Sequence, residues 1–194
     1  MSWEGDVLLW IQDHLRNAVL DPMCKFMGYI GNHGELAIAV ILLLVIIPKT
    51  RRTGFVCAAS LFIAYGGAFV LKHIFVRTRP YEMIEGLSSL VGKMDSPSFP
   101  SGHSASTFGC LIVILLMMPK KFGIPALCVS LFMGYSRLHV GVHYPTDVLV
   151  GAALGIISAI ICTTVYKKKF APAAPVDEQP SCESEKDKEK EEVV

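Results

Sequence analysis

Two histidines, one carboxylate and three fixed cations stand at spacings that suit chemistry on a phosphoryl group. In "PSGHS", residues 100–104, a Gly-containing turn opens an apolar segment and places His103 in its first turn. The free N–H groups and dipole of a helix start favour an anion there. Ser101 suits an N-cap or a hydroxyl donor to phosphate, and the His103 imidazole can give a proton near neutral pH. In "SRLHVGVHYPTD", residues 136–147, Arg137 offers a planar fork for phosphate oxygens and His143 a nucleophilic nitrogen. Asp147, four residues on, can accept the imidazole N–H, fix its tautomer and stabilise the cation that forms. Pro145 disfavours helical geometry at Tyr144, so His143 is expected in a connection and Asp147 in the first turn of the next helix. A third piece, "KHIFVRTRP" at 72–80, sets Lys72 and Arg79 at the end of an earlier apolar segment. Charge at a bilayer edge is costly unless it snorkels, pairs or binds something. The pattern predicts a membrane-embedded phosphatase acting on a lipid phosphate or pyrophosphate.

Other readings of the same residues bound that expectation. His139, His143 and Asp147 recur at spacing four, which on an unbroken helix makes a metal site. Pro145 breaks the continuity and the neighbouring cations repel a metal, so no metal or cofactor is expected and His139 is read as packing beside the site. Taken singly, Lys72 and Arg77 read equally well as headgroup anchors, and so do Lys93 and His33.

The elements that must position these groups are membrane helices. Hydrophobic residues make up 52% of the 194 and charged ones 18%, too apolar for an ordinary soluble domain. Asp, Glu, Lys and Arg are absent from 53–71, 96–119, 122–136 and 148–166, whereas a crossing needs about 20 apolar residues. We therefore expect an all-α, polytopic transmembrane helix bundle with crossings near 34–48, 54–75, 101–118, 122–138 and 146–166. The segment 19–30 carries Asp21, Pro22 and Lys25 and leaves the number at five or six. Alternation places "PKTRR", "PKK" and "KKK" on one side, which the positive-inside rule makes cytoplasmic. Lys72, Arg77, Arg79, Lys93, His103, Arg137, His143 and Asp147 then meet at the extracytoplasmic face, bordered by the polar loop 81–99.

Three regions follow. Residues 1–30 form an N-terminal interfacial region, in which Val7, Leu8, Trp10, Ile11 and Leu15 share one face of an amphipathic helix while Glu4 and Asp6 are polar positions. A surface helix packed on the bundle is the alternative. Residues 31–169 form the transmembrane core. Residues 170–194, with eight acids against three lysines, read as a disordered cytoplasmic tail. The start of the chain lacks the pattern of a cleaved signal peptide, so insertion is expected to rely on the helices themselves. The six cysteines lack metal-type spacing and read as small buried hydrophobes.

At these positions the chain resembles the type 2 phosphatidic acid phosphatase superfamily, with its three-part signature K-x6-RP, PSGH and SR-x5-H-x3-D. All three parts are present, from Lys72 to Arg79-Pro80, at 100–103, and from Ser136-Arg137 to His143 and Asp147. The resemblance implies metal-independent, two-step hydrolysis. Lys72, Arg79, Arg137, Ser101 and the Gly102 and His103 N–H groups would hold the phosphoryl oxygens. His143, oriented by Asp147, would form a phosphohistidine, and His103 would protonate the leaving oxygen and then activate water. The short chain is most similar to bacterial undecaprenyl-pyrophosphate phosphatases. Phosphatidylglycerophosphate, phosphatidic acid and lipid A phosphatases share the signature, because it describes chemistry at phosphorus rather than the lipid. The partners implied are the lipid substrate and the bilayer, with no nucleic acid; the oligomeric state is open. A vanadium haloperoxidase shares the pocket chemistry but is soluble and larger. A non-catalytic lipid-phosphate binder or transporter, or a cytochrome using His103 and His143 as haem ligands, is the alternative from another class.

Overall fold

Apolar runs closed by small residues pack into helices around one central element. The computed structural model describes residues 3–170, so the charged tail expected over 170–194 lies outside the described residues except for Phe170. The helices are α1 (Trp3–Leu15), α2 (Leu20–Ile30), α3 (Glu35–Ile46), α4 (Arg51–Ile74), the single turn α5 (Pro80–Met83), α6 (Gly102–Met117), α7 (Lys120–His139) and α8 (Pro145–Phe170). The described residues contain helices and no strand, as the composition predicts.

The central element is α6, whose residues 104–114 are all buried against α4, α7 and α8. Small residues permit this approach, since helix association in an apolar solvent relies on close backbone packing. A side chain at Gly155 would meet the Gly109 nitrogen at 2.6 Å and the Ala105 carbonyl at 2.8 Å, and one at Gly151 would strike the Ser101 carbonyl. Ser60 on α4 donates its hydroxyl to the Gly109 carbonyl at 2.6 Å, satisfying a polar group that hydrocarbon would not. Facing outward, α4 and α8 expose Phe62, Phe69, Leu149, Ile157 and Ile161. Both are long and apolar enough to cross a membrane. Helices α2 and α3 meet the same test only together, bent by 51° at the Asn32–Gly34 turn. The doubtful segment 19–30 is thus the first arm of a bent apolar helix pair. Gly34 holds a φ of 80° there and caps α3.

The basic clusters gather at one end of the bundle. Lys167 reaches the Leu116 carbonyl, and Arg52 and Lys169 line one cavity. The signature residues lie at the other end.

Helix α1 packs less simply than its pattern suggested. Leu8 and Ile11 are buried, but Val7 and Trp10 face outward, and Glu4, assigned to the polar face, points inward. The physical reason is an ion pair, described below, that compensates a buried carboxylate. Arg16 ties the end of this helix down, donating to the carbonyls of His139 and Ser88. The cysteines within the described residues are free; Cys24, Cys57 and Cys110 are buried, whereas Cys128 is exposed.

Candidate active site

The site is assembled where α4 and α6 meet the connections at one end of the bundle. Ser101 caps α6, its hydroxyl oxygen accepting from the Ser104 amide, and its own amide donates to the Asp147 carbonyl at 2.9 Å. That bond ties the start of α6 to the start of α8. Helix α7 ends at His139 and α8 begins at Pro145, leaving His143 in the intervening connection as the proline predicted. Gly141 turns this connection with a φ of 77°, and a side chain there would strike the Ser88 carbonyl at 2.7 Å.

Lys72, Arg79, Gly102, His103 and His143 line one cavity of about 690 Å³, together with Asn32, His33, His73, Ser96 and Pro97. Residues more than 70 positions apart are brought together here by helix packing. Lys72 reaches across to donate to the Pro97 carbonyl at 2.5 Å. Arg79 is 3% exposed and fixed by the Ser96 carbonyl and hydroxyl and the Val142 carbonyl at 2.9–3.0 Å. Its burial lowers the guanidinium pKa.

Three expected site residues lie behind the cavity wall. Ser101 is fully buried and engaged in its cap. Asp147, also fully buried, accepts at Oδ2 from the Tyr144 amide at 2.9 Å and from the Ser98 hydroxyl. His143 Nδ1 is 3.5 Å from the same oxygen, and this buried nitrogen has no hydrogen-bond partner. Such contacts often stay long until substrate closes them. Arg137 lines a smaller neighbouring cavity of about 230 Å³ and donates to the Cys24 carbonyl at 3.1 Å. His139 turns away from His143 and Asp147; its ring is held between Asp21 at 2.8 Å and the Tyr135 hydroxyl at 3.0 Å.

Burial pulls the His143 pKa down to about 4, reinforced by the charges of Arg79 and Lys72 and opposed by Asp147. The imidazole is therefore neutral at physiological pH, with Nδ1 toward the carboxylate and Nε2 as its other nitrogen. His103 Nε2 lies 3.1 Å from the Gly28 carbonyl; a carbonyl only accepts, so Nε2 carries the proton. The arrangement offers a neutral imidazole beside two cations and a helix start, the elements needed to hold and attack a phosphoryl group.

Sequence reasoning missed two contributors. Helix α2 supplies backbone carbonyls at Gly28 and Cys24 to His103 and Arg137, and a side chain at Gly28 would collide with the Arg137 guanidinium. The available signal was Gly28 and Gly31 at helical spacing in a short apolar stretch. The second is Arg77, left open as an anchor. It donates to Asp147 Oδ1 at 2.7 Å and to Glu4 at 2.6 Å, while covering the Tyr144 ring at 3.8 Å.

The chain is similar to several known proteins. The undecaprenyl-diphosphatase of Sulfolobus acidocaldarius is 32% identical over 138 residues, a match spanning 71% of this chain and 66% of that protein, just under two thirds of its length. The decaprenylphosphoryl-5-phosphoribose phosphatase of Mycobacterium tuberculosis is 34% identical over 145 residues, covering 72% of this chain and 76% of that one. The crystal structure of Aquifex aeolicus LpxE superposes with a TM-score of 0.76 at 26% identity, over 84% of this chain and 96% of that chain. Residues 53–171 match the PAP2 superfamily model, a span that takes in Lys72, Arg79, His103, Arg137, His143 and Asp147, and the chain belongs to that superfamily.

Proposed function

We propose that this protein is an integral-membrane phosphatase that converts a polyprenyl pyrophosphate, most specifically undecaprenyl pyrophosphate, to the monophosphate and inorganic phosphate. The observation that carries the reading is the union of two cavities. The polar one, with Lys72, Arg79, His103 and His143, shares His33, Tyr65 and Phe69 with an apolar groove of about 570 Å³ between α3 and α4. The groove is lined by Ile38, Ile41, Leu42, Leu61 and Phe62 and suits a hydrocarbon chain leaving the phosphate site for the bilayer. Two relatives are named for polyprenyl-linked phosphates, which favours that class over glycerophospholipids.

In the first step His143 Nε2 attacks the terminal phosphorus. His103 enters this step as the imidazolium, which the negative charge of the bound pyrophosphate favours; as the P–O bond to the polyprenyl phosphate breaks, it gives the leaving oxygen its Nδ1 proton and keeps its Nε2–H on the Gly28 carbonyl. The Nδ1–H of His143 closes on Asp147, which stabilises the positive charge of the phosphohistidine. In the second step His103 takes a proton from water as it attacks phosphorus, releasing phosphate and neutral His143. Lys72, Arg79 and the Gly102 and His103 amides meet the charge that develops on the phosphoryl oxygens. Arg137 acts from behind Gly28, and Ser101 by fixing the start of α6. No metal is required by this scheme.

The bundle crosses the membrane with its basic end in the cytoplasm, so phosphate is released at the outer face. In this reading the bent pair α2–α3 forms one crossing, α4, α6, α7 and α8 form the others, and α1 lies at the outer interface. Phosphate release from undecaprenyl and farnesyl pyrophosphates, compared with phosphatidylglycerophosphate, phosphatidic acid and lipid A, tests the substrate. A kcat/KM for any of the last three above that for undecaprenyl pyrophosphate overturns the assignment.

A further inference from the structure

Asp147 is reached from two sides. On the cavity side its Oδ2 faces His143; on the far side its Oδ1 accepts from Arg77 Nη1 at 2.7 Å. The same Nη1 donates to the Thr146 hydroxyl at 2.7 Å, and Nη2 donates to Glu4 Oε2 at 2.6 Å. Thr146 completes the ring, its hydroxyl donating to Glu4 Oε1 at 2.7 Å and its amide to that oxygen at 3.1 Å. Glu4 is 8% exposed although it stands in the first turn of the outermost helix. Burial works against its ionised carboxyl, but hydrogen bonds from Thr146 and Arg77 hold its pKa below the usual range.

Docking α1 needs none of this. Leu8 and Ile11 already bury an apolar face, and a buried ion pair seldom adds more stability than apolar residues of the same shape. Two carboxylates share one guanidinium, so the group carries one net negative charge. Without Glu4, Arg77 belongs wholly to Asp147 and cancels the charge that His143 needs opposite it. Without Arg77, two buried carboxylates face each other and Oδ1 loses its partner. The arrangement leaves Asp147 charged yet fixed in direction. Other charged groups face this region: Lys72 at the end of α4, Arg79 after it, and His103 on α6. None of these three is hydrogen-bonded to Asp147, whereas Arg77 is.

We infer that Glu4 and Arg77 are positioning residues that set the orientation and effective charge of Asp147, so that α1 is a working part of the site rather than a surface attachment. This rests on the reading of His143 as a nucleophile oriented by Asp147.

The test is steady-state phosphate release from undecaprenyl pyrophosphate by the full chain in detergent. The variants are Glu4→Gln, Arg77→Gln and Asp147→Asn, with the two double variants that include Asp147→Asn. Glu4→Gln and Arg77→Gln are each expected to lower kcat about tenfold while KM stays within about twofold, and neither adds to the loss already caused by Asp147→Asn. Losses that multiply in the doubles, a loss confined to KM, or an unchanged kcat in Glu4→Gln overturn the inference. Glu4→Gln keeps the side-chain shape and an acceptor oxygen, so it carries the test with its double should Arg77→Gln fail to fold. A wild-type kcat in Asp147→Asn removes the underlying reading, a result distinct from failure of the Glu4–Arg77 relay alone.

Discussion

At His143 the balance of burial, two nearby cations and one carboxylate favours a neutral ring, and this has consequences for pH. Its pKa in the folded protein, about 4, lies below the ordinary histidine value. Between about pH 6.5 and 4 the unfolded chain binds a proton at this position that the folded protein refuses. Stability therefore falls as the pH drops through that window and levels below it. Thermal unfolding of wild type and His143→Asn from pH 7 to 4 is expected to show a shallower decline in the variant; parallel curves contradict the assigned neutrality. The substitution His103→Ala should lower kcat about 100-fold or more, the usual contribution of a positioned proton donor, with the fold retained. Arg79 shows how far residue identity alone leads. Its place beside Pro80 marked it for phosphate, yet three of its donors are committed to Ser96 and Val142, which makes it a rigid charge in the wall rather than a free fork.

The helices that were legible in the sequence are those whose boundaries are written in charge and proline. Uncharged runs bounded by Arg52 and Lys72, by Lys121 and Arg137, and by Asp147 and Lys167 became α4, α7 and α8 to within four residues at each end, because burying charge in hydrocarbon is the dominant cost. The contribution of α1 and α2 was hidden for the complementary reason. Glu4 looks like any polar surface residue until Arg77, 73 positions away, is brought to it, and the carbonyls of Gly28 and Cys24 belong to the backbone, which every residue carries. Glycine tells a similar story at element scale. Gly155 on α8 sits against the backbone of α6, so Gly155→Val should destabilise the bundle by about 1–3 kcal/mol through overpacking. Gly66 on α4 has open space around its Cβ position, so Gly66→Ala should be neutral or gain about 0.5–1 kcal/mol from helix propensity. Thermal unfolding in detergent compares the two directly.

Across the whole molecule, one end of the bundle is basic and the other carries the site, with an apolar groove running from the site along α3 and α4. Filling that groove with Ala58→Trp should raise KM for undecaprenyl pyrophosphate several-fold and leave hydrolysis of a short soluble phosphate ester unaffected. The sidedness is open to thiol labelling of a cysteine placed at Trp3 in a cysteine-free background, where reaction from outside the cell agrees with five crossings. The central claim, that His143 removes a phosphate from a polyprenyl pyrophosphate without a metal, is tested most directly by phosphate release from undecaprenyl pyrophosphate in excess EDTA. Wild type is expected to turn over under these conditions and folded His143→Ala to show no release above background; full activity in His143→Ala, or none in the wild type, contradicts the account.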